Sequence, residues 1–214
     1  MEKWTVEQVR ELFARLALAM EDNKELLTKL DAESGDGDLG LTMSMGFQKV
    51  TEKISAVTEP DIGKLIAVAG STMAQAVPST MGTLMGSALM RGGKALLGKT
   101  ELELPDIAAM LSAMVEGIMA RGKAKPGDKT VLDSLDPAAI ALRDAVESGK
   151  SFSAGLEAAA AAAVQGLEDT KTMVPQHGRA AYYAEKALGR QDPGATVGMI
   201  FVQVLAASSV TKNQ

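Results

Sequence analysis

The sequence contains no cysteine and only one histidine, His177, among its 214 residues. Without cysteine the chain has no disulfide bonds, thiolate metal sites or cysteine nucleophile, and one histidine cannot build a histidine metal cluster. Aromatic residues are also scarce, at 3%, whereas alanine, leucine and methionine are abundant. We therefore expect a mainly helical protein whose chemistry depends on carboxylates, hydroxyls, arginine or lysine.

The sequence also lacks an excess of positive charge and a long apolar run. Its formal net charge of −5 argues against a nucleic-acid partner, because nucleic acids attract basic surfaces. No apolar run approaches the roughly 20 residues that a membrane-spanning helix needs. The start of the chain, MEKWTVEQVRELF, lacks the short apolar block of a secretory signal. We therefore expect a cytoplasmic protein with no membrane partner.

Capping residues and prolines divide the sequence into helices. Thr5 and Gln8 form a capping-box pattern, with Val9, Leu12, Phe13 and Leu16 on the apolar side of the helix that follows. Asp61 predicts the start of a helix that ends before Pro78, and Pro105 fits the first turn of another. Asp136-Pro137 and Asp192-Pro193 each resemble an N-cap followed by proline, which predicts helices at 138–146 and 195–210.

About eight helices result, joined by short connections, and no strand pairing is required. Short connections between helices favour antiparallel neighbours, so we expect an all-α, up-and-down bundle. No change of composition marks a domain boundary, and the predicted domain is residues 1–214.

The stretch from Leu30 to Thr42, LDAESGDGDLGLT, concentrates acidic residues and glycines before a helical pattern. Asp31, Asp36 and Asp38 repel one another at short range unless a cation or a shared proton relieves the repulsion. Mg²⁺ prefers oxygen ligands and often combines carboxylates with water and substrate phosphates. The following helix N-terminus attracts anions. We therefore expect a nucleotide-phosphate site held through magnesium; the alternative is three solvated turn residues.

Three known motifs fit this chain poorly. Gly35–Gly40 satisfies the dinucleotide pattern G-x-G-x-x-G, but the preceding residues are helical in character rather than a buried strand. Gly93–Thr100 satisfies the Walker A pattern, but it also follows a helix-like segment. An EF-hand that starts at Asp36 would place Phe47 where glutamate belongs.

The helix predicted from about Thr80 to Leu97 is rich in glycine and methionine. Its glycines indicate a close approach of the backbone to a neighbouring helix or to a ligand, and the sequence does not choose between them. For the methionines we favour core packing over a base pocket. The set is Met43, Met45, Met73, Met81, Met85 and Met90.

Three separate strings resemble the ADP-binding L subunit of bacterial dihydroxyacetone kinase, which also occurs as the C-terminal domain of single-chain kinases. They are DAESGDGDLGLTMSMGFQKV, RGKAKPGDKTVLDSL and HGRAAYYAEKALGRQDPGAT. Their order and spacing match those of the family, and the resemblance covers nearly the whole chain. It implies a closed barrel of eight antiparallel helices with the nucleotide at one end.

The resemblance also implies a set of ligand-binding residues. Asp31, Asp36 and Asp38 would hold two magnesium ions that bridge the phosphates of ADP or ATP. The residues that would surround the nucleotide are Leu39, Gly40, Leu41, Thr42, Ser79, Thr80, Met81, Gly122, Val131, Arg179, Asp192, Pro193 and Gly194.

This chain departs from the family pattern at two places. Leu39 stands where the family usually has histidine, and Pro78-Ser79-Thr80-Met81 stands where it has Gly-Gly-Ala-Ser. The metal ligands are unchanged, so we expect nucleotide binding to be retained, whereas affinity and the choice of phosphate donor or acceptor are open to change. We therefore expect this chain to be a sugar-kinase relative that lies outside the main dihydroxyacetone group.

Four polar residues near the matching strings have different predicted roles. Arg179 is the candidate catalytic residue, because guanidinium groups match phosphate oxygens and stabilise developing charge. His177 is interpreted as a solvated loop residue without a catalytic role. For Lys129 and Thr130, ordering of the rim of the site, contact with the nucleotide and a purely structural role in the turn all stay open.

The resemblance implies a phosphotransferase subunit that works with a separate K subunit, which binds a small ketose covalently through histidine. The nucleotide would be exchangeable ATP or a retained ADP that a phosphocarrier protein rephosphorylates. Two alternatives are an ADP-loaded regulatory module, since the family's L subunit also binds a transcription regulator, and a domain like that of fatty-acid kinases. Self-association into a homodimer stays open.

Overall fold

Nine α-helices contain most of residues 3–209, the part of the chain that the computed structural model describes. Eight of these have 15 to 19 residues, and α2 has nine. They are α1 (Val6–Asp22), α2 (Lys24–Ala32), α3 (Leu39–Ser55), α4 (Ile62–Ala76), α5 (Thr80–Ala95), α6 (Leu104–Gly122), α7 (Leu132–Glu147), α8 (Phe152–Asp169) and α9 (Pro193–Ser209).

The long helices form a closed ring. Each of α1, α3, α4, α5, α6, α7 and α8 packs against the next long helix in the chain, and α9 returns to contact α1. Neighbours joined by short connections run antiparallel. The prediction of an all-α, up-and-down bundle is therefore confirmed, and none of the helices within residues 3–209 is long and apolar enough to cross a membrane.

Local side-chain caps start several helices. The Thr5 hydroxyl accepts a hydrogen bond from the N–H of Gln8, and the Gln8 side chain accepts one from the N–H of Thr5 at 2.8 Å. Asp61 caps α4 by accepting from the N–H of Lys64 at 3.1 Å. Such caps satisfy N–H groups that have no partner within the helix, and these two predicted helix starts are confirmed.

Apolar side chains from all eight long helices fill the centre of the ring. The predicted apolar side of α1 is buried there, as are Met43, Met73 and Met85, which are fully buried. Met45 and Met90 are 41% and 39% exposed, so their prediction as core residues was wrong. Both lie on the outer side of their helices. The positions of methionines in the sequence do not show which face of a helix turns toward the core.

Glycines allow α4 and α5 to touch backbone to backbone. A β-carbon on Gly70 would lie 2.6 Å from the carbonyl oxygen of Gly86, and one on Gly93 would lie 2.5 Å from that of Gly63. Gly92 faces Met114 of α6. The glycines at these positions of α5 therefore serve close packing against neighbouring helices, which answers the question that the sequence left open.

Two features of the fold differ from the sequence-based expectation. Short strands β1 (Trp4–Thr5) and β2 (Glu101–Leu102) form one antiparallel pair, with Trp4 opposite Leu102, although no strand pairing was expected. Trp4 is buried, and its ring meets that of Phe152 edge to face at 5.3 Å. The pair thus fixes the chain before α1 to the connection between α5 and α6.

The helix predicted to start after Asp136 begins earlier, at Leu132, and Pro137 lies inside it. Proline leaves the carbonyl four residues before it without a donor. That carbonyl belongs to Asp133 and faces the backbone of Gly166 in α8 so closely that a β-carbon there would collide with it. Glycine at position 166 of α8 therefore leaves room for this freed carbonyl. The start of α9 agrees with the prediction, whereas its predicted end, Val210, lies outside the described residues.

Candidate metal and phosphate site

The candidate site lies at one end of the ring. Because the long helices alternate in direction, every second connection falls at the same end: residues 23–38, 77–79, 123–131 and 170–192. We call this the site end. The helices α3, α5, α7 and α9 all begin there, and their N-termini carry the partial positive charge that favours anions.

An acidic cluster, consisting of Asp31, Asp36 and Asp38, occupies the first of these connections. One carboxylate oxygen from each residue lies within 4.8 Å of the other two. Asp31 belongs to the last turn of α2 and is half-buried, whereas Asp36 and Asp38 are exposed. The structure thus brings together the three predicted metal ligands.

Local glycines shape this acidic loop. A β-carbon on Gly35 would collide with the Asp31 carboxylate, and Gly37 has a φ of +75°, which side chains other than glycine rarely adopt. Gly40 packs against the Lys24 carbonyl and the Thr28 hydroxyl of α2. Packing and backbone conformation therefore explain these three glycines, which in the sequence resemble a dinucleotide-binding motif.

The electrostatics of the cluster favour a cation. Although much of Asp38 is exposed, partial burial of its carboxyl raises the pKa above its ordinary value, and the charges of Asp36 and Asp31 raise it further, while Arg179 opposes them. Carboxylate oxygens held this close are the donor set that Mg²⁺ prefers. The residues present therefore fit a hard divalent cation, which would relieve the repulsion.

The start of α3 adjoins the cluster. The N–H of Leu39 donates to the Asp31 carboxylate at 3.3 Å, and the Leu39 side chain is buried in the core. Leu41 is 51% exposed, whereas Gly40 and Thr42 are buried. Leu39 thus connects the cluster to the core, and its side chain is unable to supply the polar contact of the family histidine.

The starts of α5, α7 and α9 converge on Gly194. A β-carbon on Gly194 would lie 3.1 Å from Cε of Met81 and 3.2 Å from the backbone nitrogen of Val131. Ser79 caps α5 by accepting from the N–H of Gly82 at 3.0 Å, and Thr80 is exposed. Residues predicted from distant parts of the sequence are therefore close neighbours.

The contacts of Asp192 and Gly122 are mainly structural, at the start of α9 and the end of α6. The buried Asp192 carboxylate caps α9 by accepting from the N–H of Ala195 at 2.7 Å, and burial raises its pKa to about 7. Pro193, next to it, is the first residue of α9. Gly122 ends α6, and a β-carbon there would meet only the side chain of Leu84.

The connection between α8 and α9 crosses the site end. We call its residues 173–190 the strap; it contains a 3₁₀ segment, Arg179–Ala187. Arg179 reaches Asp36, with Nη2 to Oδ2 at 3.0 Å, and Arg190 reaches Glu33, with Nε to Oε2 at 3.6 Å. The strap therefore brings the candidate catalytic arginine to the acidic cluster.

Several residues that hold this arrangement were missed or misread from the sequence. His177, interpreted as a solvated residue, is 37% exposed, and its Nε2 lies 2.8 Å from Oδ2 of Asp128, a partner that the sequence did not indicate. Asp133 accepts from the N–H groups of Gly127 and Thr130 at 2.5 and 2.7 Å. The sequence did contain one signal for these roles: acidic residues at short spacing around PGDKT are typical of side chains that cap turns.

The fold of this chain matches part of a solved kinase. The crystal structure of the dihydroxyacetone kinase from C. freundii in complex with AMP-PNP and Mg²⁺ matches 97% of this chain, with a TM-score of 0.72 and 25% identity. The chain spans about a third, 35%, of that kinase. By fold, this protein is a helical barrel of the dihydroxyacetone kinase type.

The sequence comparisons identify the family. Residues 33–207 match the DAK2 domain, and the chain belongs to the DAK2 domain family. It is 40% identical to the PEP-dependent dihydroxyacetone kinase, ADP-binding subunit DhaL, of Escherichia coli K12, over 86% of this chain and 88% of that protein. It is 36% identical to the L-erythrulose kinase of Pectobacterium atrosepticum, over 84% of this chain but 31% of that protein.

Proposed function

We propose that this chain is the ADP-binding subunit of a dihydroxyacetone-kinase-type phosphotransferase. The observation that carries the proposal is the acidic cluster, which lies beside the start of α3 and within reach of Arg179. The family membership and the name of the E. coli relative support the same function.

Asp31, Asp36 and Asp38 would hold magnesium, and from the resemblance to the family we propose two ions. When bound, magnesium neutralises phosphate oxygens and orients them for in-line transfer. The raised pKa of Asp38 supports this assignment, because partial burial and then the charges of Asp36 and Asp31 disfavour its ionised form, which a bound cation would stabilise.

Residues of the chain itself would bind and orient the phosphates of ADP or ATP. The N-termini of α3 and α5, with Gly40 to Thr42 and Ser79 to Met81, would attract the anion. Arg179 is exposed enough to turn from Asp36 toward a phosphate, and there it would stabilise the charge that develops during transfer. Val131 and Gly194, with Gly122, would line the nucleotide side.

We further propose that the phosphate acceptor binds to a partner K-type subunit. From the resemblance to the family, that subunit would bind the ketose covalently through a histidine of its own. Because the E. coli relative is named as PEP-dependent, we favour a retained ADP that a phosphocarrier protein rephosphorylates. Dihydroxyacetone is the first acceptor to test, and L-erythrulose the second, since a kinase of that ketose is a relative.

The proposal is tested in two steps with the purified chain. First, after any bound nucleotide has been removed, calorimetric titration with ADP should show binding in the presence of Mg²⁺ and much weaker binding with EDTA. Second, addition of a dihydroxyacetone kinase K subunit, a phosphocarrier system and dihydroxyacetone should yield dihydroxyacetone phosphate. Absence of Mg²⁺-dependent ADP binding would refute the proposal, whereas binding without transfer under any donor would favour the ADP-loaded regulatory module.

A further inference from the structure

Lys129 is a buried lysine in the turn before α7. It is 6% exposed, and its φ of 58° places it in the left-handed region. Its Nζ donates to the carbonyl oxygen of Met173 at 3.2 Å and to that of Ala187 at 2.7 Å. These two carbonyls lie near the two ends of the strap, so one ammonium group joins both ends.

Burial of this ammonium is costly. Removing a charged group from water is unfavourable unless hydrogen bonds and opposite charge compensate it. Burial accordingly lowers the pKa of Lys129, and the nearby Asp192 carboxylate opposes this shift. An apolar side chain of similar size would fill the same space at lower cost, so packing alone does not account for a lysine here.

The neighbouring residue of the same turn holds the strap as well. The N–H of Gln176 donates to the carbonyl of Asp128 at 3.1 Å, and the Asp128 carboxylate binds His177. On the far side, Arg179 binds Asp36. Arg179 therefore lies on a segment that the 128–129 turn anchors on one side and that reaches the acidic cluster on the other.

We propose that Lys129 is a positioning residue: by binding the carbonyls of Met173 and Ala187 it closes the strap into a loop that holds Arg179 over the acidic cluster. Lys129 acts through Arg179 and does not itself touch the nucleotide. The inference rests on the proposed function, in which Arg179 contacts the phosphates.

The first test measures the strap directly by amide hydrogen exchange. The variant Lys129→Met keeps most of the length of the side chain and removes its hydrogen bonds. Lysine and methionine have the same strain in the left-handed backbone conformation, so this strain does not change with the substitution. Exchange at the amides of Gln176 and Gly189, which donate to Asp128 and Lys171, should become about tenfold faster or more, with the exchange of α4 and α5 unchanged. Lys123→Met, at an exposed lysine whose φ of 59° lies in the same left-handed region, is the matched control and should leave the exchange of the strap unchanged.

The second test is a double-mutant cycle on the binding of ADP with Mg²⁺. Lys129→Met should weaken binding in the wild-type background, and it should add little in the Arg179→Ala background. Additive effects in the cycle, or unchanged exchange in the strap, would overturn the proposal. If Lys129→Met does not fold, judged by circular dichroism, Lys129→Gln replaces it with the same expected directions.

Failure of this inference is separable from failure of the proposed function. If the wild-type chain binds no ADP, the proposed function fails, and the exchange measurement still decides whether Lys129 holds the strap. If the wild-type chain binds ADP and the cycle is additive, the proposed function stands and the positioning role of Lys129 is refuted.

Discussion

Arg179 on the strap and Asp36 in the acidic cluster form an ion pair, with Nη2 and Oδ2 3.0 Å apart. The two side chains are 66% and 46% exposed, and an exposed pair of this kind contributes only about 0–1 kcal/mol to stability. Its importance is therefore positional: it connects a segment that follows α8 with a loop that follows α2.

Replacement of Arg179 should affect phosphate transfer more than folding. In Arg179→Ala we expect kcat, measured with a K-type subunit, to fall about tenfold or more, because a guanidinium stabilises charge that develops on the transferred phosphate. The free energy of unfolding should change by less than about 0.5 kcal/mol. Arg190→Ala removes an arginine of the same strap that binds Glu33 instead, and it should retain most of the activity. Equal losses in the two variants would contradict the role of Arg179.

Removal of one carboxylate from the cluster should abolish the magnesium dependence of nucleotide binding. In Asp38→Asn we expect the dissociation constant of ADP with Mg²⁺ to rise at least about tenfold, because a lost interaction with a charged ligand costs about 1.5–3 kcal/mol. Without magnesium the variant and the wild type should bind alike. Asp22→Asn removes the same charge from an exposed position at the end of α1 and serves as the control. Calorimetric titration would refute the metal site if Asp38→Asn bound like the wild type.

Asp192 should make stability depend on pH in a defined direction. Burial raises the pKa of its carboxyl from 3.8 to about 7, against the N–H of Ala195 and the charge of Lys129. The folded state therefore binds the proton more tightly than the unfolded state. The resulting stabilisation is fully present below pH 3.8 and is lost as the pH rises to about 7.

The variant Asp192→Asn isolates this effect, because asparagine keeps an oxygen that caps α9 and does not titrate. The free energy of unfolding of the wild type, relative to that of the variant, should fall between about pH 4 and pH 7 and stay level above that range. Urea unfolding followed by the fluorescence of Trp4, the single buried tryptophan, measures both proteins. A difference that stays constant across this range would contradict the assignment.

The contact between α4 and α5 should not tolerate a methyl group. Gly70→Ala would normally stabilise a helix by about 0.5–1 kcal/mol. Here the new β-carbon would lie 2.6 Å from both the Gly86 carbonyl oxygen and the Met90 nitrogen, and backbone atoms cannot rotate away. Overpacking typically costs about 1–3 kcal/mol, so we expect net destabilisation of about 1–2 kcal/mol in urea unfolding.

Gly155→Ala in α8 is the matched control for this contact. Its β-carbon would meet only the side chain of Leu104, which can move to another rotamer. We expect a smaller loss of stability or a gain. If Gly70→Ala proved as stable as Gly155→Ala, the close backbone contact would have no energetic importance.

Much of the fold was predictable because helix starts depend on local residues. The cap at Thr5, the cap at Asp61 and the proline at the start of α9 act within one helical turn, and the structure has each of them. The short distance between Asp31, Asp36 and Asp38 likewise follows from their proximity in sequence, since a single turn connects them.

The wrong predictions concern interactions between distant segments. The proline rule failed at Pro137 because the neighbouring α8 has glycine at position 166, where the freed carbonyl of Asp133 needs room. The partner of His177 was missed because Asp128 lies 49 positions earlier in the chain. No local sequence pattern indicates which residue of a distant turn will contact a given loop.

The sequence by itself determined the helical composition, most helix ends and the acidic cluster, because capping, proline geometry and charge repulsion act over a few residues. Tertiary structure decided the rest: that Gly86 and Gly93 of α5 face α4, that Lys129 holds both ends of the strap, and that Arg179 lies 3.0 Å from Asp36. These relationships arise only when the helices close into a ring and bring every second connection to the same end.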